Sequence, residues 1–242
     1  MKLLSIETSC DETAVSIVNA LGYIGNAEFQ VMGNALFSQA NLHKEYGGVY
    51  PSLAKREHAM NLVPLIQAAL AEADMLQEHP NHLDDKKLDL IERLLKREPA
   101  LAMKITRLVE SIETSPIDAI AVTRGPGLEP ALWVGVNAAR VLSLVWNLPL
   151  IPVNHLEGHL ISSLSKKSSD TTFHLRHEAF PVIGLIISGG HTELIHMNDW
   201  HSYEILGATR DDAVGEAFDK VGLMLDLPYP GGPHISRLAN DA

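Results

Sequence analysis

Two histidines, His155 and His159, stand four residues apart in "IPVNHLEGHLISSL" (Ile151–Leu164), a stretch that reads as a strand running into a helix. On a helix, residues i and i+4 share a face with their Cβ atoms about 5–6 Å apart, close enough for two imidazoles to grip one divalent cation. Taken alone, such a pair is more often a hydrogen-bonded core feature than a ligand pair. The zinc-protease helix uses the same spacing but sets a glutamate directly after the first histidine as general base. Here Leu156 holds that position and Glu157 falls on a different face. Metalloprotease chemistry of that kind is therefore excluded.

Other segments could also carry chemistry. The acidic loop "ETSCDET" gathers Glu7, Asp11 and Glu12, carboxylates able to orient a hydrated cation or act on an attacking amine. Three glycine turns stand at strand ends: "TRGPGLEP" (Thr123–Pro130), "ISGGHTE" (Ile187–Glu193) and "YPGGPH" (Tyr229–His234). Glycine lets backbone approach a phosphate closely and leaves amides free to point at it, although most such turns are only turns. None matches the P-loop or the Rossmann fingerprint. A histidine-bearing loop, "HKEYGGVYPSLAKREH" (His43–His58), leads into a proline-started helix.

The elements that must position these residues alternate in type. "KLLSIET", "TAVSIVNA" and "AEFQVMGNALFS" read as a three-stranded meander, and Pro51–Asp74 as a helix covering it. Residues 75–113 read as a charged helical insertion on the surface, with Pro99 dividing two helices. "IDAIAVTRGPG" then "EPALWVGVNAARVLSLVWN" reads as strand, glycine loop and helix, and "LPLIPVN" as the strand that feeds His155. The polar stretch 165–178 reads as a loop or linker. Beyond it come a hairpin, "FPVIGLIISGGHTELIHM", a third strand, "SYEILGATR", and a helix, "DDAVGEAFDKVGLMLDL", capped by Asp211 or Asp212, before a last short helix. A meander followed by helix in each half is the plan shared by actin-like, sugar-kinase and heat-shock ATPases. The expectation is an α/β protein with a first lobe over 1–164 and a partial second lobe over 165–242, nucleotide lying between them.

Composition narrows the classes. Thirty acidic against nineteen basic residues give a formal charge of -11, the opposite of a stand-alone nucleic-acid binder. Lys166, Lys167, Arg176 and His177 form the richest basic cluster, and it is thin. No apolar run reaches the roughly 18–20 residues of a membrane span, and the N-terminus turns acidic too early for a signal peptide. No membrane association and a cytoplasmic location are expected. A single cysteine, Cys10, cannot form an internal disulfide.

In combination and order, "ETSCDET", "HKEYGGVYPSLAKREH", "VTRGPGL", "NHLEGH", "SGGHTEL" and "DDAVGEAFDK" with "YPGGP" resemble the TsaD-type tRNA adenosine threonylcarbamoyltransferases, once labelled glycoproteases. The resemblance implies the two-lobed actin-like ATPase fold and transfer of a threonylcarbamoyl group from its adenylate to the exocyclic amine of an adenosine beside the tRNA anticodon. It makes His155 and His159 ligands of one divalent metal, iron in the family, with zinc also suited to such ligands. Ile186, Ile187, Ser188, Gly189 and Gly190 become a nucleotide loop, with Asp219 placed for the ribose and Gly232 for the nucleotide of an ATP or adenylate ligand. Asp11 and Glu12 become the candidate catalytic carboxylates. Expected partners are tRNA, a shorter paralogous subunit and an ATPase subunit. A non-catalytic scaffold like that paralogue is the alternative, against which the retained histidines and "SGGHT" argue. Three departures stand out: Ser52 replaces a customary glutamate, Glu129–Pro130 a customary Gly-Ser, and the 75–113 insertion is larger than usual. Family members also run longer, with a further nucleotide loop and an aspartate as third metal ligand in the added segment.

Overall fold

A computed structural model describes residues 1–77, 79–112, 116–176 and 180–241. His177 and Glu178 of the expected loop and Glu78 and Glu113 of the expected insertion lie outside these residues.

The meander forms as read: β1 (Lys2–Glu7), β2 (Glu12–Tyr23) and β3 (Asn26–Ser38) pair antiparallel. Alternation drives it. Leu4, Ile6, Val15 and Ile17 all point to one face and are buried. After a single turn, α1 (Ala40–His43), the chain covers that face with α2 (Pro51–Glu72), whose N-terminal proline costs no hydrogen bond because the first amides of a helix have no partner within it. Next come α3 (Asp85–Leu94) and α4 (Pro99–Ser111), then β4 (Ala119–Gly125), α5 (Glu129–Trp146) and β5 (Leu150–Asn154). β4 runs parallel to β1 and β5 parallel to β4, as helical crossovers require. α6 (His155–Leu164) leaves β5 without a linker.

Two expectations fail here. Residues 75–112 are not surface decoration: Met75, Leu83, Ile91, Leu95, Leu101, Ile105, Leu108 and Ile112 are buried in the main core beside α2 and α5. The charges face solvent while the apolar residues recur at helical spacing on the inner side. Nor is the segment after Ser165 only a loop. β6 (Lys166–Lys167) and β7 (Thr172–Arg176) pair with each other, and β7 extends the sheet at the edge of β3, giving the order β5-β4-β1-β2-β3-β7-β6. Leu175 opposite Ala27 is buried, and β7 occupies an edge that β3 would otherwise leave with unpaired amides.

The second sheet begins at β8 (Val182–Ile187), with β9 (Thr192–Asp199) and β10 (Ser202–Ala208) in the order β10-β9-β8, repeating the antiparallel meander of the first. α7 (Val214–Met224) and α8 (Gly231–Asn240) follow. Neither Asp211 nor Asp212 caps α7. The N-cap is Ala213, and the amide of Val214 donates instead to Thr192 Oγ1 at 2.9 Å. This α/β arrangement, a strand meander with parallel crossovers followed by a second meander and helices, is the actin-like plan. No helix among the described residues is long and apolar enough to cross a membrane.

Candidate functional site

The parallel strands β1, β4 and β5 are neighbours, and their carboxyl ends bring together Glu7, Thr123 and the Asn154–His155 junction. Ligand sites of open α/β sheets lie at this edge. α6 starts there because Asn154 Oδ1 accepts from the amides of Leu156 and Glu157 at 2.9 and 3.3 Å. Glu157 points away from the histidines and accepts from the Tyr203 hydroxyl at 2.7 Å, which pushes that phenol's pKa up.

His155 and His159 converge. Their Nε2 atoms are 3.1 Å apart and their rings meet edge to face. Metal–imidazole bonds of about 2.0–2.1 Å place two nitrogens on a shared ion roughly 3–3.4 Å apart, so the pair fits one divalent cation without rearrangement. Behind it stands Glu7. Its Oε2 lies 3.2 Å from His155 Nδ1 and accepts from Thr123 Oγ1 at 2.6 Å, while Oε1 accepts from the Ser9 amide at 2.5 Å. Burial alone would raise this carboxyl, but the bonds from His155, Ser9 and Thr123 outweigh it and hold the pKa at about 2. Glu7 is therefore ionised at neutral pH and can only accept, so His155 donates through Nδ1–H and keeps the Nε2 lone pair bare. A carboxylate behind a histidine is the usual support of an imidazole ligand. Burial and the neighbouring His155 lower the pKa of His159, favouring its neutral form. Among the described residues no third histidine, cysteine or carboxylate joins the pair.

Two loops buttress this edge. Gly127 lies against Ser9: a Cβ there would come within 2.7 Å of Ser9 O, and Ser9 O also accepts from the Leu128 amide at 2.7 Å. Cys10, in turn, rests on a buried histidine relay. His58 Nε2–H donates to Cys10 O at 3.0 Å, so Nδ1 accepts from Thr13 Oγ1 at 2.7 Å and from Gln39 Nε2 at 3.4 Å. Gln39 Oε1 accepts from His43 Nε2 at 3.2 Å, and His43 Nδ1 accepts from the Tyr50 amide at 3.2 Å. His43, His58, Gln39 and Thr13 are fully buried, and burial depresses both imidazoles, which the relay holds neutral.

Asp11 and Glu12 do not reach the histidine pair, whose supporting contacts come from Glu7 and Ser9; Glu12 is exposed at the start of β2. Burial first, and then the charges of Asp219, Asp11 and Cys10, raise the pKa of Tyr229 in the turn before α8.

The expected nucleotide residues lie along α7. Ser188 and Gly189 press on its first turn, since a Cβ on Gly215 would meet Ser188 O at 2.6 Å and Gly189 N at 2.8 Å. One turn on, about 6 Å along the axis, Asp219 Oδ1 accepts from the Gly231 amide at 2.7 Å, which holds Gly231 and Gly232 at the start of α8. Ser188 also ties its own turn, its amide donating to His191 O at 2.8 Å. Ile187 is 54% exposed, but Ile186 points into a second core with Leu156, Leu160, Ile195 and Met197, so its side chain joins α6 to the second sheet and only its backbone could serve a ligand. Of the residues that converge here, Glu7 was legible only as one of three carboxylates, and Ser9 and Thr123 carried no signal beyond their loops.

A family model described as TsaD, tRNA N6-adenosine threonylcarbamoyltransferase, matches residues 30–83 and 100–242. Two segments lie outside the match: residues 1–29, which hold β1, β2 and the loop with Glu7, Ser9, Asp11 and Glu12, and residues 84–99, which contain all of α3. Among solved structures, YeaZ from Pseudomonas aeruginosa is 13% identical with a TM-score of 0.40, covering 86% of this chain and 66% of its own. An uncharacterized protein from the same organism, with similarity to peptidase YEAZ, is 14% identical at a TM-score of 0.40, covering 85% and 63%. An Aquifex aeolicus member of the Ppx/GppA family is 12% identical at 0.33, covering 92% and 54%. The chain thus spans less than two thirds of the length of each.

Proposed function

Starting from a chain that belongs to the TsaD family of tRNA N6-adenosine threonylcarbamoyltransferases, we propose that it transfers a threonylcarbamoyl group from threonylcarbamoyl-adenylate to the N6 amine of a tRNA adenosine next to the anticodon, forming t6A. The observation that supports this best is the convergence of His155 and His159 Nε2 atoms with ionised Glu7 behind them.

In this reading His155 and His159 hold a divalent metal, iron by the family's habit and zinc by equal ligand chemistry. When bound, such an ion polarises a carbonyl or phosphoryl oxygen. Glu7 orients His155, and Ser9 and Thr123 fix Glu7. The amides of Gly189 and Gly190, in the turn that Ser188 ties, and of the first turn of α8, at Gly232, receive the adenylate phosphate, because helix starts and glycine turns present N–H groups to anions. Asp219 lies beside them for the ribose. The adenosine amine forms a bond to the carbamoyl carbon while the carbon–oxygen bond to phosphate breaks. AMP leaves with the electron pair, and the amine proton passes to a carboxylate, Asp11 or Glu12. The acidic chain takes its tRNA with the help of a shorter paralogous subunit and an ATPase subunit, in the cytoplasm.

The test supplies threonylcarbamoyl-adenylate, tRNA and the partner subunits, and measures modified adenosine in digested tRNA by mass spectrometry. Product is expected with the native chain and not with His155→Ala. Equal product from both would overturn the assignment.

A further inference from the structure

Outside the site, one pair of side chains has an unusual disposition. Tyr46 and Tyr50 stack with ring centroids 5.1 Å apart and planes inclined by 14°, yet they are 56% and 50% exposed. Tyrosine rings that pack for stability are generally buried, whereas these, stacked on each other, leave half of each residue in solvent. The space beside them is open, since a Cβ on Gly47 or Gly48 would meet nothing within 4 Å. The platform is nevertheless held. Gly47 turns the chain at φ +66° and donates its amide to Lys44 O, and the Tyr50 amide donates to buried His43 at 3.2 Å.

We propose that the Tyr46–Tyr50 stack seats an unpaired nucleobase of RNA. The proposal rests on the tRNA-modifying reading above and adds to it a named contact. A flat, rigid, solvent-facing aromatic surface is how single-stranded bases are held, because every base offers a π face. Exposed Lys44 supplies a cation for the adjoining phosphate, while Lys55 and Arg56 are engaged with Glu98 and Glu57. Of the exposed residues beside the rings in the chain, Asn41, Lys44, Glu45 and Ser52 are polar and only Leu42 and Pro51 apolar, which is the composition of a polar rim and not of a protein-docking core. His43 and Gln39 connect this loop to His58 and hence to Cys10, fixing the platform to the loop that carries Ser9 and Asp11.

The test uses the whole chain at low ionic strength and a synthetic anticodon stem-loop with 2-aminopurine in its loop. Binding is read by anisotropy and stacking by quenching. Tyr46→Leu/Tyr50→Leu should bind roughly tenfold or more weakly and lose the quenching, whereas Tyr46→Phe/Tyr50→Phe should retain both. Both pairs should melt with the native chain, because the rings are exposed. Equal affinity and quenching in the leucine pair would overturn this inference and leave the modification reading standing. Loss of binding to a partner subunit with RNA binding unchanged would overturn it in favour of a protein contact. Failure of the native chain to bind the stem-loop would overturn this inference, while the modification reading is decided by the product assay with the partner subunits present.

Discussion

Replacing His58 by leucine tests whether the buried relay holds the acidic loop. The imidazole satisfies two buried groups, Thr13 Oγ1 and Gln39 Nε2, and the part-buried Cys10 O. Leucine fills much of the volume but bonds to none of them, and a buried polar group left without a partner costs about 1–3 kcal/mol. Cys10 O is only part-buried and can be met by water, so Thr13 Oγ1 and Gln39 Nε2 carry the cost, giving roughly 4 kcal/mol. For a chain of this size that is a loss of about 10 °C in melting temperature, followed by circular dichroism. The pH dependence should change with it. His58 has its pKa lowered from 6.5 by burial, so below pH 6.5 the unfolded chain binds a proton that the folded chain refuses. Stability is then fully present above pH 6.5 and falls as pH drops below it, by about 1.4 kcal/mol per pH unit for each such histidine until its folded pKa is reached. His43 acts in the same sense. His58→Leu removes one histidine's share, so its stability should decline less steeply with acid than that of the native chain. A melting temperature within about 2 °C of native, or parallel pH curves, would refute the relay as a support.

Glu7→Gln keeps the side-chain shape but removes the charge facing His155; titration calorimetry with zinc should show about 10- to 100-fold weaker binding, and unchanged affinity would separate Glu7 from the metal site. ATP or a stable adenylate analogue should raise the melting temperature of the native chain, by about 2.7 kcal/mol of stabilisation at a hundredfold excess over Kd. Gly215→Ala, whose Cβ would press on the Ser188–Gly189 backbone, should abolish that shift, and an equal shift would place the ligand elsewhere. Leu160→Ala, truncating a side chain buried between α6 and β8, should cost about 2–5 kcal/mol in denaturant unfolding; less than 1 kcal/mol would mean the two elements are not joined through it.

The long elements were legible because hydrophobic period separates strand from helix over ten or more residues, as in β2, β3, α2 and α5. β7 was not, because its alternation of Phe173 and Leu175 with polar residues lasts only five residues inside a polar stretch, and Thr172–Arg176 pairs with residues far back in the chain. The burial of α3 and α4 was hidden by their charge, which dominates composition although Ile91, Leu95, Leu101 and Ile105 line one side. The histidine pair could be read from spacing alone, since i and i+4 meet on any helix. Its support could not: Glu7 and His155 are 148 residues apart and meet only because the strand order places β1, β4 and β5 side by side. Gly184 held an unread clue, for a glycine inside an apolar strand signals a close approach, here by Leu160, whose Cδ1 lies 2.3 Å from where a Cβ would sit.

α6 is fastened at two places to two different sheets. Its first residue follows β5 directly and is tied to Glu7 of β1, while Leu156 and Leu160 lie on Ile186, Ile195 and Met197 of the second sheet. A helix so held behaves as a crank. If the sheets rotate relative to each other, the Leu156–Leu160 side must follow one and His155 the other, and the twist falls on the turn that sets the spacing of the two imidazoles. The angle between the sheets and the spacing of the two imidazoles are then one mechanical variable, so that a displacement of the Ser188–Gly190 turn towards the first sheet is felt at His159 without touching it.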